Sequence, residues 1–170
     1  MEPLEVEIRQ VRPHEYQEAG RITALAYREF LPPGPSPGWE EYLASIADIG
    51  GRIDRTIVVV AVRDGRILGS ATIEMDQVIG DDDDELPADT ASLRMLGVDP
   101  KVRGGGVGRA LVEATIEMAR GRGKRVMILR TTPLMKAARA LYESMGFQRD
   151  PSLDMTFPEV TVRGYRLDLI

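Results

Sequence analysis

The stretch Leu93 to Arg109, LRMLGVDPKVRGGGVGR, constrains this chain more than any other. Leu93, Met95, Leu96 and Val98 supply the apolar content of a β-strand. Pro100 has no N–H to give to a ladder, so the strand ends near Asp99. Arg103-Gly104-Gly105-Gly106-Val107-Gly108 follows, and from Arg109 onward the spacing is helical. Glycine opens backbone conformations closed to other residues and lets a ligand approach closely. The first N–H groups of a helix have no internal partner, and the helix dipole favours negative charge beside them. A strand, a glycine loop and a helix start in this order therefore make an anion site, with phosphate the usual guest. Arg103 and Arg109 add positive charge on either side. The bland alternative is a flexible surface loop.

The spacing excludes two familiar phosphate sites. No Lys-Ser or Lys-Thr follows the glycines, as a Walker-type loop requires. Gly104-x-Gly106 is followed by Arg109, and Gly106-x-Gly108 by Leu111, so G-x-G-x-x-G is not met. What is met is R-x-x-G-x-G, at Arg103, Gly106 and Gly108, directly after a strand ending V-x-P. This resembles the acetyl-CoA pyrophosphate loop of the GNAT superfamily of N-acetyltransferases. Further on, Ala138-Arg-Ala-Leu141-Tyr142-Glu-Ser-Met-Gly146-Phe147 resembles the second motif of that superfamily, A-x-x-L-Y-x-x-x-G-F. The two motifs stand in the right order. The resemblance is weakest in the first 50 residues and from Asp150 to Glu159.

Composition sets wider bounds. The chain's 170 residues, 43% hydrophobic and 29% charged, suit a single domain spanning 1–170. A net charge of −5 argues against nucleic-acid binding, whose footprint is basic. With no cysteine there is no disulfide, no Cys-type zinc site and no thiol nucleophile, and no metal is expected. The acidic MEPLEVEIRQV start does not read as a signal peptide, and no segment has the length of a membrane span, so the expected location is cytoplasmic.

Taken in order, Leu4, Val6 and Ile8 alternate with charged residues as a half-buried strand that Pro13 ends. Ala19, Ile22, Leu25, Ala26 and Phe30 mark one face of a helix over Glu15–Phe30. His14, the lone histidine, is given no role. LPPGPSPG at Leu31–Gly38 breaks regular structure, and Trp39, Tyr42, Leu43 and Ile46 predict a short second helix. Ile57–Val62 and Ile67–Met75 flank Asp64-Gly65, a strong hairpin signal. The run Asp81–Glu85 is either a solvated loop tip or an attractor for a cationic amine. Val107, Leu111, Ala114 and Met118 share a helix face closed by Gly121 and Gly123. Val126–Leu129 is a short buried strand, reached by a crossover that implies parallel pairing with the central strand. Pro133 suits the first turn of a further helix whose stripe is Leu134, Ala138, Leu141 and Met145, with Gly146 as its C-terminal cap. Val160–Leu169 forms the last strand, with a bulge expected near Gly164 where the apolar parity changes.

The resemblance implies an α/β fold with a mixed, mostly antiparallel sheet, a parallel pair splayed at its centre and helices on both faces. It implies that acetyl-CoA is the cosubstrate and a primary amine the acceptor. Arg103, Gly104, Gly105, Gly106, Val107, Gly108 and Arg109 would hold the pyrophosphate. Backbone groups of Leu96, Gly97 and Val98 would face the pantetheine arm, with Gly97 permitting a bulge. Tyr142 would hydrogen-bond the leaving sulfur and complete proton transfer as charge builds there, since a phenol at about 10 is a weaker acid than a thiol at about 8.5. Pro32–Tyr42, with Trp39 and Tyr42, is either the acceptor wall or a loop anchored by Trp39. Glu74 is the best protein candidate for the base, with Asp76 and Asp89 weaker and an ordered water chain the alternative. The superfamily often carries Asn three residues before the motif alanine. This chain has Met135 there, and Thr131 or Thr132 is the substitute. Dimers are common in the superfamily, but no stretch here marks an interface. A non-catalytic acyl-CoA-binding sensor on the same fold is the rival reading.

Overall fold

The computed structural model describes residues 5–30, 37–76, 86–157 and 161–170. Leu4, much of the Leu31–Gly38 breaker and the Asp81–Glu85 run lie outside them. The strands are β1 (Glu7–Gln10), β2 (Ile57–Arg63), β3 (Arg66–Glu74), β4 (Thr90–Val98), β5 (Val126–Thr131), β6 (Gln148–Arg149), β7 (Met155–Thr156) and β8 (Thr161–Asp168). The helices are α1 (Tyr16–Arg28), α2 (Pro37–Ala47), α3 (Val107–Gly121) and α4 (Lys136–Ser144). Backbone hydrogen bonds order the strands β1-β2-β3-β4-β5-β8-β6, with β7 paired to β8 off that path. The β4–β5 pair is parallel, while β1–β2, β2–β3, β5–β8, β6–β8 and β7–β8 are antiparallel. This is the mixed α/β sheet expected from the motif order. The chain divides into two compact units, Met1–Ile73 with Met95–Thr115 and Glu74–Arg94 with Ile116–Ile170.

In the first unit, Asp64 and Gly65 both take positive φ, 51° and 76°, which matches the right-handed twist of the β2–β3 hairpin. The register slips between Ala61 and Val62, leaving Leu68 as the extra residue of β3. The Leu68 carbonyl accepts the Asp99 N–H at 2.8 Å, which ties the end of β4 to the bulge. Side chains alternate across a sheet, so neighbours on β3 report the two faces. Ser70 Oγ lies 2.6 Å from the hydroxyl of Thr23 on α1. A Cβ at Gly69, pointing the other way, would meet a methyl of Leu111 on α3 at 3.2 Å. Helices thus cover both faces here. On the α1 face, Ala19 and Ile22 pack with Ile49, Val58, Val60, Val62 and Ile67. Each fully buried Ile or Val contributes roughly 1.5–3 kcal/mol relative to exposure. Leu25 departs from the expected stripe and is 41% exposed.

Arg52 is buried and binds the end of α2. Its guanidinium donates to the carbonyls of Ser45 (2.8 Å), Ile46 (3.0 Å) and Asp48 (3.1 Å), and its Nε to Thr72 Oγ1 (3.2 Å). The Ser45 and Ile46 carbonyls belong to the last turn of α2, where helix carbonyls run short of partners and a cation is favoured at this end of the dipole.

In the second unit, β5 pairs with β8 from Val126–Asp168 to Thr131–Arg163 without a register break. The bulge expected near Gly164 is absent. A Cβ at Gly164 would lie 2.2 Å from Leu153 Cβ and 3.0 Å from the Asp150 carbonyl, so close approach of the Pro151–Leu153 turn demands glycine. Pro133 and Leu134 precede α4, which starts only at Lys136, and Leu134 is 53% exposed rather than part of the stripe. Gly146 closes α4 at φ +98° as expected, and Phe147 N–H reaches back to the Tyr142 carbonyl at 3.1 Å.

Candidate functional site

The glycine loop is built as an amide cradle. Asp99 ends β4, and its carboxylate accepts the Lys101 N–H at 3.0 Å, which turns the chain through Pro100–Val102. Gly104 and Gly106 follow at φ +83° and +85°, a region costly for residues with a Cβ. Nothing lies within 4 Å of a Cβ built on Gly104, so its outer side is open. Val107 is buried and anchors the start of α3. The helix ladder begins with the Ala110 N–H on the Gly106 carbonyl at 3.0 Å. The amides ahead of Ala110 have no carbonyl four residues back within the helix, which is the geometry that receives an anion.

Arg103 lies at the near side of this loop, and its guanidinium is turned toward α1. It donates to the Glu29 carboxylate, reaches the Ala26 carbonyl at 3.4 Å, and stands 5.6 Å from the centre of the Phe30 ring. Arg109 is exposed on the first turn of α3.

The central strand carries an irregularity. β4 pairs with β5 only at Thr90–Val126, Ala91–Met127 and Ser92–Ile128, although both strands run on. Leu93–Val98 therefore continue beyond the parallel register, where the splay was expected. The left-handed residue is Met95, φ +53°, and not Gly97. Gly97 is needed for another reason: a Cβ there would lie 3.0 Å from Thr23 Cα and 3.1 Å from Ala26 Cβ on α1. The Met95 side chain is buried with Leu43 and Ile46 of α2, against Ala24, Tyr27 and Tyr42. Burial of the side chain offsets a backbone strain of about 1–3 kcal/mol. No sequence signal marks this kink. Above it stands an aromatic set: Tyr27–Tyr42 and Trp39–Tyr42 meet edge to face at 6.3 and 6.4 Å. Trp39 and Tyr42 are half-buried.

The second unit holds the other candidates. Glu74 has no exposed side-chain surface, and its Oε1 lies 3.6 Å from Nε of the partly exposed Arg94. Tyr142 is buried on α4 and packs edge to face on Phe147 at 5.7 Å. Burial pushes its phenol well above the usual range. Met135 sits at the N-cap of α4, where its thioether caps nothing. Thr132 Oγ1 is buried and has no hydrogen-bond partner among the described residues. A buried hydroxyl in that state costs free energy until a ligand or water meets it. Asp76 is exposed and 3.7 Å from the Lys124 ammonium, and Asp89 accepts the Thr90 hydroxyl at 3.1 Å. Sequence reading missed Met95 as the kink, Glu29 as the partner of Arg103 and Arg52 as the anchor of α2.

The family model for the acetyltransferase (GNAT) family matches residues 20–147. N-acetylaspartate synthetase of Danio rerio is 35% identical over 103 residues, 60% of this chain and 33% of that protein. The stretch matched is thus about a third of that relative's length. Among solved structures, YncA from Salmonella typhimurium with its cofactor acetyl-CoA superposes at a TM-score of 0.69 with 22% identity, covering 97% of this chain and 94% of that one. PaiA N-acetyltransferase from Thermoplasma acidophilum in complex with coenzyme A gives 0.72 with 14% identity, covering 96% and 100%. No helix among the described residues is long and apolar enough to cross a membrane. With a family model spanning most of its length, the chain belongs to the GNAT family of acetyltransferases.

Proposed function

We propose that the chain transfers the acetyl group of acetyl-CoA to a primary amine of a small molecule or peptide, by direct attack of the amine on the thioester. The observation that carries this reading is the open amide cradle at the start of α3, with Gly104 and Gly106 at positive φ ahead of the first helical hydrogen bond. When bound, acetyl-CoA supplies an acetyl group activated as a thioester. The amides from Gly104 to Arg109 hold its diphosphate, and the Arg109 charge adds to the dipole of α3. Backbone groups of Leu96, Gly97 and Val98, beyond the β4–β5 register, hydrogen-bond the pantetheine amides. Thr132, whose buried hydroxyl has no partner among the described residues, gives a further hydrogen bond in place of the customary Asn.

Tyr142 donates a hydrogen bond to the departing sulfur. Its raised pKa keeps it protonated and makes it a donor rather than a strong acid. Glu74 takes the proton lost by the amine. Having no exposed surface, it receives that proton through water rather than by touching the amine. Trp39 and Tyr42 line the acceptor. A small amino acid is the first acceptor to try, because one relative is named for making N-acetylaspartate.

The test is thiol release from acetyl-CoA with a panel of amines, amino acids included. Release dependent on one amine class, with the KM for acetyl-CoA raised about tenfold or more in Gly106→Val, supports the reading. Binding of coenzyme A without release for any amine would favour the sensor instead.

A further inference from the structure

We infer that Arg103 acts on coenzyme A indirectly, as a clamp that fastens the glycine loop to the end of α1, with Glu29 as its positioning partner. The inference rests on the diphosphate reading of that loop and changes what its arginine does. Three contacts orient the guanidinium away from the cradle: the Glu29 carboxylate, the Ala26 carbonyl at 3.4 Å and the face of Phe30 at 5.6 Å from the ring centre. All three lie in or just after the last turn of α1, where unpaired carbonyls and the negative end of the dipole favour a cation. Arg103 itself is extended, at φ −63° and ψ 153°, and immediately precedes Gly104. The two positive-φ glycines behind it have little conformational preference of their own, so their neighbours must set the loop's path.

One side chain at the loop's entry, fixed by charge, carbonyl and ring, supplies that constraint. The diphosphate is then met by amides held in place before it arrives, and the ordering cost is not charged to binding. Glu29 has a second consequence. A carboxylate on the guanidinium neutralises the charge that Arg103 would otherwise bring to the anion. A direct phosphate ligand would be weakened by Glu29, whereas a clamp is made by it. The two roles therefore predict opposite signs for the removal of Glu29.

The experiment is calorimetry with coenzyme A on the whole chain, for wild type, Glu29→Gln, Arg103→Glu and the swapped pair Glu29→Arg with Arg103→Glu. Both positions are substantially exposed, and a thermal melt of each variant confirms folding. The clamp predicts that Glu29→Gln weakens binding by about threefold to fivefold, the scale of one exposed ion pair. It predicts that Arg103→Glu weakens binding more, and that the swapped pair recovers most of the loss by rebuilding the contact with reversed sign. Tighter binding by Glu29→Gln, or a swapped pair no better than Arg103→Glu, overturns the clamp and makes Arg103 a phosphate ligand. Absence of heat with the wild-type chain overturns the diphosphate reading itself, and the clamp with it.

Discussion

Arg94 holds its Nε 3.6 Å from the Oε1 of Glu74, a carboxylate with no exposed side-chain surface. The guanidinium is the partner that reaches solvent, so the pair sits charge-outward over a buried acid. In Glu74→Gln the amide keeps the shape and loses the charge that Arg94 faces. Stability is expected to fall by about 1–3 kcal/mol. Acetyl transfer is expected to fall by about a hundredfold, the lower range for a lost general base. Thermal melts and steady-state rates separate the two effects, and a stability loss with an unchanged kcat removes Glu74 from the chemistry.

Tyr142→Phe keeps the ring that meets Phe147 and deletes only the hydroxyl. Turnover is expected to drop by about a hundredfold with little change in the affinity for coenzyme A. Burial holds the phenol above its ordinary value of about 10, so no falling limb in the rate profile below about pH 10 belongs to it. The same shift affects stability. The unfolded chain releases this proton at about pH 10 while the folded one retains it, so stability declines as pH rises beyond that point. The Phe variant lacks that part of the decline, which denaturant titrations at alkaline pH would register.

Gly97→Ala places a methyl 3.0 Å from Thr23 Cα and 3.1 Å from Ala26 Cβ, on helix backbone and a core methyl that must give by a few tenths of an ångström. Overpacking of this kind costs about 1–3 kcal/mol. A melting temperature lowered by roughly 3–10 °C is expected, together with a raised KM for acetyl-CoA, because β4 and α1 must separate. An unshifted melt would show that the strand moves freely against the helix.

Glu15 accepts both terminal nitrogens of Arg9, at 2.8 and 2.7 Å, and the Arg12 N–H at 2.8 Å. The Arg9 hydrogen bonds, with help from the Arg12 amide, lower its pKa to about 2. A depressed folded pKa stabilises above the unfolded value of about 4.3, and that contribution is lost as pH falls toward 2. Glu15→Gln is expected to melt below wild type at neutral pH and to converge with it near pH 2, which melts across the acid range would reveal.

Much of this architecture was legible because local chemistry and fold agreed. Asp64-Gly65 announced its hairpin, Gly146 its cap, and the helical crossover its parallel pair. The cradle was legible for the same reason, since positive-φ positions recruit glycine. Met95 was not, because a left-handed backbone at a buried methionine, packed with Leu43 and Ile46, leaves no mark in residue type. Gly97 and Gly164 were read as sites of irregularity when each answers a close approach by a distant segment. Leu134 was placed in a stripe by spacing alone, although α4 starts two residues later. The contacts of Glu29 and Arg52 join residues whose pairing no spacing rule foretells.

The buried guanidinium of Arg52 gives α2 a fixed end. Sliding that terminus by an ångström would break bonds to the Ser45, Ile46 and Asp48 carbonyls together and strand a desolvated cation. Rearrangement of α2 is therefore confined to pivoting about its last turn, and the displacement grows toward Trp39 at the opposite end. If Trp39 borders the acceptor as proposed, a bulkier acceptor would be accommodated by swinging that indole, while the last turn of α2 stays packed on Met95.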